Sequence, residues 1–286
     1  MATGHLEMDH EVAKIILEST WNDEELIHLV DYYFNHCLQI LDFYTSLKNC
    51  LRRAHDSQSS IRLALVHFEE KRGENVGGKR YLRTLQELQR FREAGDPFTE
   101  EFSKLFHSVY KQQGEMSQKL EACKMKLDKK VKSAQTWRWV TNAIFVTVFV
   151  SALILSVVAA LRTPIGTVGK WCDSRWKNYR RELKGKKLLI DLMNEGTKMS
   201  IEDLKTIRSL VGMLEIEIES IMQKADFTLG EEQEEAVKLG MLEIRKRAEV
   251  FMKTVEDLST QADKSSHEIQ RTRTVILKRI IGQPTR

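Results

Sequence analysis

The sequence predicts an all-α protein in which long amphipathic, coiled-coil-like helices form helical bundles on either side of one apolar membrane-spanning helix. Three observations lead there. Only three prolines, Pro97, Pro164 and Pro284, interrupt 286 residues, and the intervals between them carry apolar residues every three or four positions. No stretch alternates polar and apolar residues over a useful strand length. Residues 140–161 form a 22-residue run without a charge, with Val140 and Leu161 at its ends and Arg138 and Arg162 just outside. Thirteen of its residues are Val, Ile, Leu or Phe, and a helix of that length spans about 33 Å against a hydrocarbon core of about 30 Å.

The elements follow in chain order. Residues 1–22 form an N-terminal segment with neither a basic n-region nor an apolar h-region, so no secretory signal is expected. Residues 23–139 form an N-terminal helical region. From Asp23, the positions Leu26, Val30, Tyr33, Cys37, Ile40, Tyr44, Leu47 and Leu51 predict a first amphipathic helix. A shorter one is expected from Ser59 to Arg72, ended by GENVGG, and another from Lys79 to Ala94, ended by Gly95. Asp96-Pro97 then offers an N-cap oxygen and a proline for the first helical turn. Beyond it Phe102, Phe106, Val109, Gln113, Met116, Leu120, Cys123, Leu127, Lys130, Ala134 and Trp137 hold a 4-3 alternation. This stalk leads into the expected transmembrane helix at 140–161, with Gly114 as its weak point.

After Pro164 the stretch PIGTVGKWCDSRW reads as a loop or membrane-interface segment, opening a basic juxtamembrane region at 162–199. Ser200 with Asp203 suggests a capping box that starts a C-terminal helical hairpin over 200–286. The acidic patch at 231–235 opens its last helix, which runs to Ile281 before Gly282 and Pro284.

Charge argues against nucleic acid as a partner. Lys and Arg total 45 against 41 acids, and the two halves on either side of the apolar run are nearly balanced. The four cysteines, Cys37, Cys50, Cys123 and Cys172, have no metal-type spacing. GENVGGK at 73–79 fits a phosphate-loop pattern, but Arg80 stands where a magnesium-binding hydroxyl is needed and the preceding VHFEEKR is helical. The eight histidines have no ligand spacing and no nucleophilic triad is legible. No catalytic, cofactor or metal residue is assigned, and no enzyme activity is expected.

The flanks of the apolar run carry more information. Residues 119–138 hold seven bases and residues 162–181 hold six. Lys129, Lys130, Lys132, Arg138, Arg162 and Lys170 are the candidates for anionic lipid headgroups, at about 1 kcal/mol each near a surface. Trp137, Trp139, Trp171 and Trp176 bracket the run as interfacial aromatics do. Ala152, Ser156 and Ala160 form a small-xxx-small row that lets a second helix approach, which would make a homo-oligomer. Packing within one chain competes with that reading for both the small residues and the heptad seam. Cys172 is a site for acylation, though an unmodified thiol is the simpler expectation.

Several stretches together resemble a plant membrane-protein family described as integrin-related, the "At-fourteen-a-like" proteins. They are LDFYTSLKNCLRRA from Leu41, DPFTEEF from Asp96, KLDKKVKSAQTWRWVTNAIFVTVFVSALILSVVAAL from Lys126, PIGTVGKWCDSRW, EGTKMSIEDLKTIRSLVGMLEIEIES and DKSSHEIQRTRTVILKRII. The resemblance implies a plant α-helical protein at the cytosolic face of the plasma membrane. It also implies protein partners that link membrane, cell wall and cytoskeleton. Members usually carry a second apolar, Ala- and Pro-rich stretch and form a hairpin. Here Leu161 is followed at once by Arg162-Thr163-Pro164. The expected function is a non-enzymatic membrane-anchored scaffold. The alternative is a soluble or peripheral bundle with the apolar run as its core helix.

Overall fold

The computed structural model describes residues 15–18, 23–70, 81–156, 165–230 and 233–282; the side chains of 134, 135, 137–156, 165–173 and 175 are not among those described. Among the described residues there is no strand, and five long helices carry the fold: α1 (Glu24–Glu70), α2 (Leu82–Ala94), α3 (Glu100–Ser156), α4 (Ile165–Gly230) and α5 (Glu234–Ile281). A helical turn at 15–18 adds the buried Leu17.

Four of these helices close a ring, α1 against α3, α3 against α4, α4 against α5 and α5 back against α1. Contacts between side chains set every neighbouring pair antiparallel. Lys126 of α3 meets Glu25 of α1, and Phe102 stacks on Phe43 at 5.7 Å. Lys198 and Lys124 reach Glu121 and Asp191 at 3.0 and 2.6 Å. Arg247 pairs with Glu217 at 3.2 Å, and Lys48 with Asp263 at 2.8 Å. The result is an up-down-up-down bundle. Helix α2 lies over its α1–α4 side, at the end away from the start of α1 and the end of α5.

One continuous core fills the ring. Phe34, Phe43, Tyr44 and Leu47 come from α1, Met116 and Leu120 from α3, Leu189, Met193, Leu204 and Leu214 from α4, and Ile244, Phe251 and Leu258 from α5. The predicted seam on α3 is real: Phe102, Val109, Gln113, Met116, Leu120 and Leu127 are all buried. It packs inside the same chain.

Several boundaries differ from expectation. The first two predicted helices are one, because Ala54, Ser57, Ile61, Ala64 and Phe68 carry the buried stripe through the polar stretch and no Gly or Pro interrupts it. Helix α3 begins three residues after Pro97. Asp96 Oδ1 accepts the Phe98 N–H at 2.8 Å in a turn, and Thr99 Oγ1 accepts the Phe102 N–H at 3.3 Å as the cap. Gly95, at φ 66°, supplies the left-handed residue between α2 and that turn. Gly114 does not break α3. The PIGTVGKWCDSRW stretch is helical from Ile165, and Ser200 is a buried residue in mid-helix, not a cap. The last helix starts and stops where expected, with Gln233 and Gly282 at its caps.

The expectation of separate bundles on either side of a span is corrected: both halves of the sequence share one core. Among the described residues no helix is long and apolar enough to cross a membrane. The expected span falls where little is described. Residues 140–156 continue α3 as helical backbone, and 157–161 lie outside the described residues.

Candidate functional site

The ring opens at the end where α1 begins and α5 stops, while α3 and α4 run on. Ion pairs mark that edge. Asp23 caps α1 by accepting the Leu26 N–H at 3.3 Å, and its other oxygen accepts from Lys186 of α4 at 2.9 Å. Lys186 also reaches Glu182 at 3.1 Å and is itself buried. Partial burial would raise the Asp23 carboxyl, but the Lys186 hydrogen bond and charge, with the Leu26 N–H and Lys130, outweigh it and hold the group below its ordinary value. Lys187 pairs with Asp128 close by, which lowers that carboxyl.

Beyond this edge the described bases stand outside any close ion pair. Lys129, Lys130 and Lys132 on α3, and Arg180, Arg181 and Lys184 on α4, are exposed and in no ion pair among the described residues. Lys130 lines an open recess of about 640 Å³ together with Asp23, Tyr179, Glu182, Leu183 and Lys186, which puts the cations of the two helices at one level. Trp176 is half-buried and meets Tyr179 edge-on at 6.2 Å. From Lys132 to Ser156, α3 rises about 36 Å further, and α4 covers about 27 Å between Ile165 and Leu183. The α3–α4 hairpin thus projects from one end of a four-helix body through a belt of positive charge.

Of the residues singled out from sequence, Lys129, Lys130, Lys132 and Trp176 stand on this belt. Trp137, Arg138, Trp139, Val140, Ala152 and Ser156 lie along α3 and Lys170 and Trp171 along α4, with side chains not described; Ala160, Leu161 and Arg162 lie outside the described residues. The Asp23–Lys186–Glu182 clamp went unseen in the sequence, because its partners stand 163 residues apart. Arg180, Arg181 and Lys184 were legible as a basic helix, but their place beside the α3 lysines depends on the hairpin register.

Two reactive groups in the body, Cys37 and His36, are enclosed. Burial pushes the Cys37 thiol up to about 12, despite its hydrogen bond with Tyr33 and the charge of Arg273. Burial also lowers His36, helped by Lys119 and opposed by Glu115. Around His36, Gln113, Thr197 and Ser200 a cavity of about 20 Å³ interrupts the apolar core, room for a single water. Among the described residues no group of His, Cys, Asp and Glu could hold a metal ion.

Comparison with known proteins places the chain clearly. Residues 2–280 match the family described as "Protein of unknown function (DUF677)". The UPF0496 protein At4g34320 of Arabidopsis thaliana is 46% identical over 296 residues, covering 98% of this chain and 78% of the relative. UPF0496 protein At2g18630 of the same plant is 43% identical over 98% of this chain and 75% of its own length. UPF0496 protein 1 of Oryza sativa subsp. japonica is 44% identical, over 98% and 78%. The 296-residue alignment is longer than the 286-residue chain, so that relative carries residues this chain lacks. No solved structure matches. The resemblance read from sequence led to plant proteins, but the integrin-related label has no counterpart in this family description or in these names. The chain belongs to the plant DUF677/UPF0496 family.

Proposed function

We propose that this chain is a non-enzymatic helical scaffold anchored to a membrane from one face, its four-helix body in water and its α3–α4 hairpin directed at lipid. The observation that carries the reading is the belt of exposed cations on both arms of the hairpin, set between the packed body and the apolar run. At about 1 kcal/mol per base near an anionic surface, the six unpaired ones suffice for reversible docking, and the apolar residues add burial. The shared core supports the one-sided arrangement. Threading the chain once across a bilayer would separate helices that interleave, and breaking that core costs far more than docking gains. The integrin-related resemblance further suggests the plasma membrane, and cytoskeletal or cell-wall proteins as partners of the body.

Sealed vesicles with protein added from outside test this. Both termini should be equally open to protease while residues 140–156 are protected. Protection of one terminus alone overturns the reading.

A second reading, a soluble or peripheral bundle, is favoured by the absence, among the described residues, of a helix able to cross a membrane. Release by salt into a monodisperse soluble fraction supports it. Pelleting that survives carbonate and is lost on deleting residues 140–161 supports the anchor.

A further inference from the structure

The geometry points to a small-molecule site at the other end of the body: the cleft between α3 and α4 lined by Phe106, Tyr110, Arg208, Gly212 and Glu215 binds a planar aromatic carboxylate. This site is independent of lipid and stands or falls apart from the anchor.

Its floor is an aromatic ladder. Phe102, Phe106 and Tyr110 stand four residues apart on one face of α3. Phe102 is buried against Phe43, whereas Phe106 tilts over Phe43 at 5.5 Å and stacks on Tyr110 at 6.3 Å, both half-exposed. The facing wall is missing a side chain. Gly212 of α4 lies opposite, and a Cβ there would meet nothing within 4 Å. The space left is about 290 Å³. That is too little for a helix about 10 Å across, and it suits a bicyclic ring.

The two ends differ in charge, which sets the polarity of the ligand. Arg208 and Glu215 stand seven residues apart on α4, about 10 Å along the axis. Arg208 lines the cleft without a carboxylate partner among the described residues, and its fork matches a carboxylate. At the far end, partial burial raises the Glu215 carboxyl, and the charge of Asp96 raises it further. A carboxylate at this end repels an anion, so the ligand's carboxylate goes to the Arg208 end and an edge of the ring faces Glu215. The ring then lies on Phe106 and Tyr110 in an offset stack.

Titration calorimetry on the full chain tests the site, with 2-naphthoate as probe and uncharged 2-naphthamide as control. Saturable one-site binding of naphthoate is expected, with the amide roughly tenfold weaker for want of the charge-assisted bond. Gly212→Leu should abolish binding while thermal unfolding stays the same or rises, since the added side chain enters open space and relieves a helical glycine. Arg208→Gln should weaken naphthoate roughly tenfold and leave the amide unchanged. Absence of saturation at millimolar naphthoate overturns the proposal. So does undiminished binding by Gly212→Leu, or an equal loss of both probes in Arg208→Gln.

Discussion

Helix α3 belongs to two regions that solve different problems. Over 100–131 it sits in a ring of four helices, and only one stripe of it is apolar: Phe102, Val109, Met116, Leu120 and Leu127 face the core while Lys104, Lys111 and Lys126 face water. Over 140–156 the same helix is rich in Val, Ile, Leu and Phe and carries no charge on any side. At that level α1 has not begun and α5 has ended, so among the described helices α4 is the one left beside it. A two-helix hairpin buries one seam and leaves the rest of each surface outward. A helix without charge on any side in that position is written for a different surrounding than a striped one. The change of code along one helix, with the cation belt at the junction, is why we read the body and the hairpin as working in different phases.

The comparison can be broken where the expected effect is largest. Replacing the Val, Ile, Leu and Phe residues of 140–156 by Gln, Lys and Glu should abolish carbonate-resistant pelleting and leave the urea unfolding midpoint of the body unchanged. Loss of the body's cooperative transition would mean the two regions are not separable. The converse change is Phe43→Ala, at the centre of the aromatic contacts with Tyr44, Phe102 and Phe106. It should cost about 3–5 kcal/mol in urea unfolding, with pelleting retained by the folded fraction.

The junction comes next. Asp23→Asn removes one of the carboxylates paired with the buried Lys186, and we expect a loss of roughly 1.5–3 kcal/mol at neutral pH. The sign of the pH effect follows from the depressed carboxyl. Its contribution is fully present above the ordinary Asp value of 3.8 and fades as pH falls through the lower folded value. The variant should therefore lose less stability than wild type on acidification below pH about 4. Equal acid slopes would remove Asp23 from the account.

Glycines sharpen the contrast further. A Cβ at Gly240 would overlap Thr228 Oγ1 in the tight α4–α5 contact, whereas one at Gly114 meets nothing. Gly240→Ala should destabilise by about 1–3 kcal/mol and Gly114→Ala should stabilise by up to about 1 kcal/mol. The smallest effect belongs to the exposed Lys48–Asp263 pair, where Lys48→Ala should stay within about 1 kcal/mol. A larger loss there would show that surface pairing holds α5 on α1.

Much of the fold was legible before any coordinates. The positions of α2 and α5, the heptad seam of α3 and the absence of strand patterning all follow from periodicity and from caps at Gly95 and Gly282. Two continuities were not. The polar stretch around Ser57 and the cap-like Ser200 looked like breaks, because Ser is ambiguous locally: it can cap a helix or sit inside a crowded contact between helices. Burial decided for the interior in both cases. Gly196 makes the same point. It could have read as a helix breaker, yet it is the notch that admits Thr272 and Tyr33, whose atoms lie 2.7 and 3.0 Å from where its Cβ would be.

Sequence by itself determined the helical nature of this protein, the apolar run and the positive residues beside it, since these depend on spacing and composition within a few turns. Only the tertiary structure decided that both halves share one core, that the lysines of α3 and the arginines of α4 stand at one level, and that Gly212 faces an aromatic floor. Those relations join residues about fifty or more positions apart, and no local pattern encodes the register that brings such distant groups together.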